Sequence, residues 1–193
     1  MKEIIQTENV ILVDADHVDK VAFDLIVNFE RMIGRRIPQA DLAKWIDCVA
    51  LDGGIREGEH LTQVALIHNK ETKQMENFCP SLFTDLDSKA FKDHLGEFTI
   101  NAYPVEQLTT KDDFFLDALQ MVCTQKEVKR VMVIGNDNLF PKIKETLRSI
   151  DDDDKRITVF SMQPREGGNF RQEILGYSLM AALGIRGDEI KEQ

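Results

Sequence analysis

Short, unbroken apolar runs alternate along this chain with longer stretches in which apolar residues recur at helical spacing. Val10-Ile11-Leu12-Val13 is the first run; it is rich in β-branched residues and reads as a strand covered on both faces. It stops at Asp14 and Asp16. From Val18 the apolar positions Val21, Ala22, Leu25, Ile26, Phe29, Met32 and Ile33 follow one helical face and predict a helix over about 17–33, with Asp16 placed to cap it. A turn at 34–38 leads to a second helix over about 39–50, carrying Leu42, Trp45, Ile46 and Val49 and closed by Gly53-Gly54. Residues 63–68 read as the second strand, and 69–83 as irregular with Pro80 as a breaker. A short helix is expected over 87–95, ended by Gly96, before a third strand at 98–102. Thr110 opens a helix running to about Cys123, with Asp113 in the place of the usual capping-box Glu. The fourth strand, 131–134, ends in Gly135-Asn136-Asp137-Asn138 and leads into a helix to about 150 with Pro141 near its start. The acidic run 151–154 reads as a solvated loop, 157–160 as the fifth strand, and 165–169 as a loop. A last helix, over about 170–183, is apolar around much of its circumference, so it is either deeply covered or the contact surface of a homodimer.

This alternation predicts an α/β fold in a single domain spanning 1–193: a three-layer α/β/α sandwich around a mostly parallel five-stranded sheet of order 3-2-1-4-5. That order sets strands 1 and 4 side by side and brings Asp14 close to residues 135–138. Ligands of open parallel sheets bind at the carboxyl edge of the strands, where these polar residues fall.

Composition narrows the partners. The chain is 42% hydrophobic and 30% charged, an ordinary globular balance, and its net charge of −10 opposes a general electrostatic grip on nucleic acid or on a membrane surface. A local basic patch beside an acidic metal pocket is still compatible with it. No segment approaches the roughly 18 apolar residues of a membrane span, and residues 1–8 have no secretory apolar core, so a cytoplasmic protein is expected. Cys48, Cys79 and Cys123 fit no disulfide or zinc spacing and read as buried thiols. Arg31, Arg35 and Arg36 form a basic cluster read as solvated surface, and His17 reads as a helix-start residue.

Carboxylates converge on the predicted edge from three elements: Asp14 and Asp16 after strand 1, Asp113 and Asp117 at i and i+4 on the helix before strand 4, and Asp137 after strand 4. Such groups repel one another, and a hard divalent cation, Mg²⁺ or Mn²⁺, relieves the repulsion and can activate water against a phosphodiester. For each acid the plainer alternative is a helix cap or a solvated loop end.

Val10 to Asp14, then Lys111, Asp113 and Asp117-Ala118-Leu119, then Val131 to Pro141, resemble in order the motifs of the NYN branch of the PIN-like nuclease superfamily. The resemblance implies a metal-dependent ribonuclease acting on RNA. Asp14 would be the central ligand, Asp117 and Asp137 (or Asn136) would complete the shell, and Asp16 or Asp113 would orient water. The chain departs from the family where two aspartates are expected, at Asn136 and Asn138, and where an Asn is expected, at His17. These departures carry a second reading, a catalytically inactive PIN-like binding or scaffolding module. The segment 10–18 also resembles the first motif of haloacid-dehalogenase-type phosphatases. That resemblance would make Asp14 a nucleophile, Asp16 a general acid, and Lys111 or Lys126 the phosphate-neutralising lysine, with residues 135–137 holding the metal. His68-Asn69 stands where that family has Ser or Thr, and no acid follows Asp137 at the expected distance. No dinucleotide fingerprint, P-loop or nucleophile elbow occurs. Arg165 and Arg171 are candidate phosphate contacts near the end of strand 5.

Overall fold

The computed structural model describes residues 7–150 and 154–191; the first six residues and Asp151, Asp152 and Asp153 of the acidic run lie outside the described residues. In chain order the elements are β1 (Asn9–Asp14), α1 (Ala15–Ile33), β2 (Ala40–Asp41), α2 (Leu42–Asp52), β3 (Leu61–Asn69), β4 (Phe78–Cys79), α3 (Phe83–Leu86), β5 (Lys89–Asp93), β6 (Gly96–Val105), α4 (Lys111–Thr124) and β7 (Arg130–Ile134). A 3₁₀ turn over Asp137–Leu139 follows, then α5 (Phe140–Arg148), β8 (Arg156–Ser161), β9 (Arg171–Ile174), α6 (Leu175–Ala182) and α7 (Gly187–Lys191).

A seven-stranded sheet runs β5-β6-β3-β1-β7-β8-β9; β5 is antiparallel to β6 and every other pairing is parallel. A separate two-stranded ladder joins β2 to β4. The main sheet is therefore mixed and wider than the five strands expected. The two added strands both come from stretches read as helix. Residues 87–95 hold β5, which Ser88 enters at φ 68 and which turns back at His94-Leu95 to pair with β6, with Phe91 stacked on Phe98 at 4.9 Å between ring centroids. The stretch beginning at 170 first pairs with β8 as β9 and turns helical only at Leu175. Helix α2 likewise starts at Leu42, after Asp41, whose side chain accepts from the Lys44 amide.

Alternation along β1 feeds two cores. Ile11 and Val13 join α1, α2 and α6 on one face, with Trp45, Ile46 and Leu179; Val10 and Leu12 join α4 and α5 on the other, with Phe115, Leu119 and Ile143. Burial on both faces explains why β1, β3 and β7 are continuous apolar runs. The apolar circumference of α6 packs within the chain: Trp45 Nε1 donates to Ser178 Oγ at 3.1 Å across the α2–α6 contact, and Leu175, Leu179 and Ala182 are buried, while Tyr177 is 71% exposed. Among the described residues no helix is long and apolar enough to cross a membrane. All three cysteines are free; Cys123 is buried, but Cys48 is half-buried and Cys79 exposed, so the expectation of buried thiols fails for Cys79, which sits in the short β4 ladder. Of the basic cluster, Arg35 is engaged by α7, donating to both carboxylate oxygens of Glu189 at 2.6 and 3.0 Å.

Candidate functional site at the carboxyl edge of the central strands

The parallel strands β6, β3, β1, β7 and β8 all end at one edge, and the first residue of α4 returns to it. Asp14, the last residue of β1, caps α1: its Oδ1 accepts from the His17 amide at 3.1 Å. Asp16 is therefore not the cap, as its place before the apolar stripe suggested; helix α1 starts two residues earlier and frees its carboxylate. Asp16 Oδ2 instead accepts from the Asn69 amide at 2.8 Å, joining α1 to the end of β3.

Lys111 supplies the charge between these acids. Its Nζ lies 3.1 Å from Asp14 Oδ1 and 3.2 Å from Asp16 Oδ2. Asp14 is 2% exposed, and burial pushes its carboxyl up, with Lys111 and the His17 amide pulling back. Burial disfavours the Lys111 ammonium, yet Asp14 and Asp16 outweigh it and hold Lys111 above its ordinary value.

Asp137 faces the same edge from the 3₁₀ turn after β7. Its Oδ1 lies 3.9 Å from His17 Nε2, and its Oδ2 lies 3.9 Å from the Arg165 guanidinium and 3.4 Å from the Met162 amide that donates to it. Both His17 Nε2 and Asp137 Oδ1 are buried atoms without a hydrogen-bond partner. Burial holds the His17 imidazolium below its ordinary range, against the pull of Asp137 and Asp14. Arg165 also stands over the Phe140 ring, 5.9 Å from its centroid. Next to Asp16, His68 closes the end of β3, its ring stacked on Phe83 at 3.7 Å beside a cavity of about 360 Å³ that Lys70 and Lys73 also line.

The structure thus brings together Asp14, Asp16, His17, Lys111, Asp137 and Arg165. It does not bring in the other candidates. Asp113 and Asp117 are exposed on α4, because Phe115, Leu119 and Val122 take the side of the helix that meets the sheet. The Asp113 amide is bound by Thr110 Oγ1 at 3.1 Å, the expected cap. Asn136 Oδ1 accepts from the Asn138 amide at 2.9 Å and is spent on the turn, and Asn138 is exposed. Lys126 is exposed in the loop before β7, at the opposite edge of the sheet. Arg171 also belongs to that opposite edge, since it opens β9 opposite Thr158.

The donor set does not match a divalent ion as it stands. Among the described residues no three His, Cys, Asp or Glu side chains are grouped to hold a metal, and Asp14 and Asp16 already share an ammonium. Comparison with curated proteins and with solved structures gives no match. Residues 3–190 match a sequence family described as a family of unknown function (DUF6621), and the chain belongs to that family.

Proposed function

We propose that the chain is a PIN/NYN-like module that binds a partner at the β1 edge without the metal-dependent cleavage of the nucleases it resembles. The supporting observation is Lys111, whose Nζ is within 3.2 Å of both Asp14 and Asp16. These are carboxylates that a Mg²⁺ or Mn²⁺ shell would use, and an ammonium neutralises them without a metal. Asn136 is occupied in its turn and Asp113 and Asp117 face solvent, so of the other candidate acids only Asp137 is at the edge, already facing His17 and Arg165. RNA is the partner class that the resemblance offers, with Arg165 as the cation able to meet its phosphates.

The experiment is a thermal-melt titration with MnCl₂ and MgCl₂ on wild type and Asp14→Asn, run beside binding and cleavage of a labelled RNA oligonucleotide. The binding reading expects no ion-dependent rise in Tm at millimolar concentration and no cleavage. A rise that vanishes in Asp14→Asn, with RNA cut, overturns it in favour of the metal-dependent ribonuclease. RNA binding weakened by Arg165→Gln supports RNA as the partner; no binding directs the search to proteins.

The Lys111 contact also gives the phosphatase resemblance its one specific support, because Asp14, Asp16 and Lys111 are the three groups that reading needs together. Against it, His68 stacked on Phe83 fills the place of the phosphate-binding Ser or Thr. Turnover of p-nitrophenyl phosphate that is lost in Asp14→Asn would favour the phosphatase over the binding module.

A further inference from the structure

At the opposite edge of the sheet lies a cleft of about 790 Å³, lined by Arg56, Arg130, Arg156 and Arg171 together with Gly54 and Phe170. The strand register assembles it. Arg130 opens β7 directly beside Arg156 of β8, and Arg171 of β9 pairs with Thr158 two residues on. Arg56 arrives from the loop after α2, anchored to the Leu51 and Ile55 carbonyls at 2.9 and 3.0 Å.

Gly54 forms the floor. Its φ of +96 suits glycine, and the position a side chain would occupy lies within 4 Å of both Arg130 Nη1 and Arg171 Nη1. Two guanidinium groups therefore converge over bare backbone. Arg130 is fixed by its bond to the Gly53 carbonyl at 2.9 Å. Of the four arginines, Arg171 alone makes an ion pair among the described residues, with Glu173 at 3.1 Å. Burial lowers the Arg130 guanidinium, and Arg156, Arg56 and Arg171 press it further down against the opposing pull of Glu8.

Four guanidinium groups line one cleft of a chain whose net charge is −10; Glu173 pairs with Arg171 and Glu8 pulls on Arg130, and an anion seated among them would relieve their mutual repulsion further. Guanidinium forks match the oxygens of a phosphate two at a time, and the cleft volume falls within the roughly 300–1,000 Å³ of small-molecule sites. We propose that this cleft binds a phosphorylated small molecule of nucleotide size, its phosphate held between Arg130 and Arg171 above Gly54. The site is separate from the β1 edge and does not rest on the function proposed there.

The test is isothermal titration and thermal melting with pyrophosphate, ADP and a short RNA oligonucleotide. Proteins are wild type, Arg156→Gln/Arg171→Gln and Asp14→Asn. Arg156 and Arg171 are exposed, so the double variant keeps the Arg130 anchor and the fold. Pyrophosphate or ADP should bind and raise Tm. The double variant should weaken that binding by about tenfold or more, and Asp14→Asn should leave it unchanged. Three outcomes overturn the proposal: no response to pyrophosphate or ADP at millimolar concentration, a response unaltered in the double variant, or binding of the oligonucleotide alone.

Discussion

Lys111 Nζ lies 3.1 Å from Asp14 Oδ1, a carboxylate that is 2% exposed. The contact ties the start of α4 to the end of the central strand. Lys111→Met strands the Asp14 charge with only the His17 amide for company. We expect a loss of about 2–3 kcal/mol, below the roughly 3–5 of a fully buried pair because Lys111 keeps some solvent contact. Asp14→Asn keeps a capping oxygen and should cost less, about 1 kcal/mol. The double variant should recover part of the Lys111→Met loss, and urea denaturation of all four proteins measures the coupling. Strictly additive losses would show that the two groups do not stabilise one another. Lys111 is held above its ordinary value, so its contribution is complete below the pKa of an unfolded lysine. It is lost only as pH rises through the raised one.

How far the sequence carries depends on what each residue had to satisfy. Val10 to Val13 must be apolar throughout because both faces of β1 are covered, so the strand is plain in the chain. Lys89–Asp93 has one large apolar residue, Phe91, and its identity as a strand depends on its antiparallel pairing with β6 and on Phe98, which local pattern does not reveal. The i, i+4 spacing of Asp113 and Asp117 puts them on one face of a helix without saying which face meets the sheet. Phe115 and Leu119 decide that against them. Asp137 faces the edge although family alignment favoured its neighbours, because the 3₁₀ turn places it toward His17 and Arg165. The arginine cleft is not legible in the chain, since Arg130, Arg156 and Arg171 meet through strand register and Arg56 joins them from the loop after α2.

Gly135 follows β7 directly, two residues before Asp137, and a methyl group there would come 2.8 Å from Ile143 Cδ1 and 3.0 Å from the Phe115 ring. Both neighbours are buried, on α5 and α4 respectively. Gly135→Ala should therefore cost about 1–3 kcal/mol by overpacking. Ile143→Val deletes the offending Cδ1, so Gly135→Ala/Ile143→Val should lose less than the two single losses together. Urea midpoints of the four proteins check this. Additive losses would mean that the turn carrying Asp137 moves away instead of pressing on Ile143.

Asp47 on α2 faces Asp93 at the end of β5. Burial, then the hydrogen bond to Asp93 and its charge, then Asp41, push the Asp47 carboxyl up to about 7. One of its oxygens is buried without a hydrogen-bond partner. Between the ordinary carboxylate range near 4 and about 7 the folded chain holds a proton that the unfolded chain has released. The native state binds more protons in that window, so this pair makes stability fall as pH rises through it and level off above. Asp47→Asn keeps a hydrogen-bonding side chain and removes the charge. It should flatten that part of the Tm profile and leave the variant more stable than wild type above neutral pH. Asp93→Asn should act in the same direction by removing the opposing charge. Asp14, Asp19 and Asp52 are also raised by burial and contribute a slope of the same sign, so the difference between wild type and variant isolates the pair. Tm measured from pH 4 to 8 on the three proteins decides it: if both variants keep the wild-type slope, Asp47 does not carry the proton.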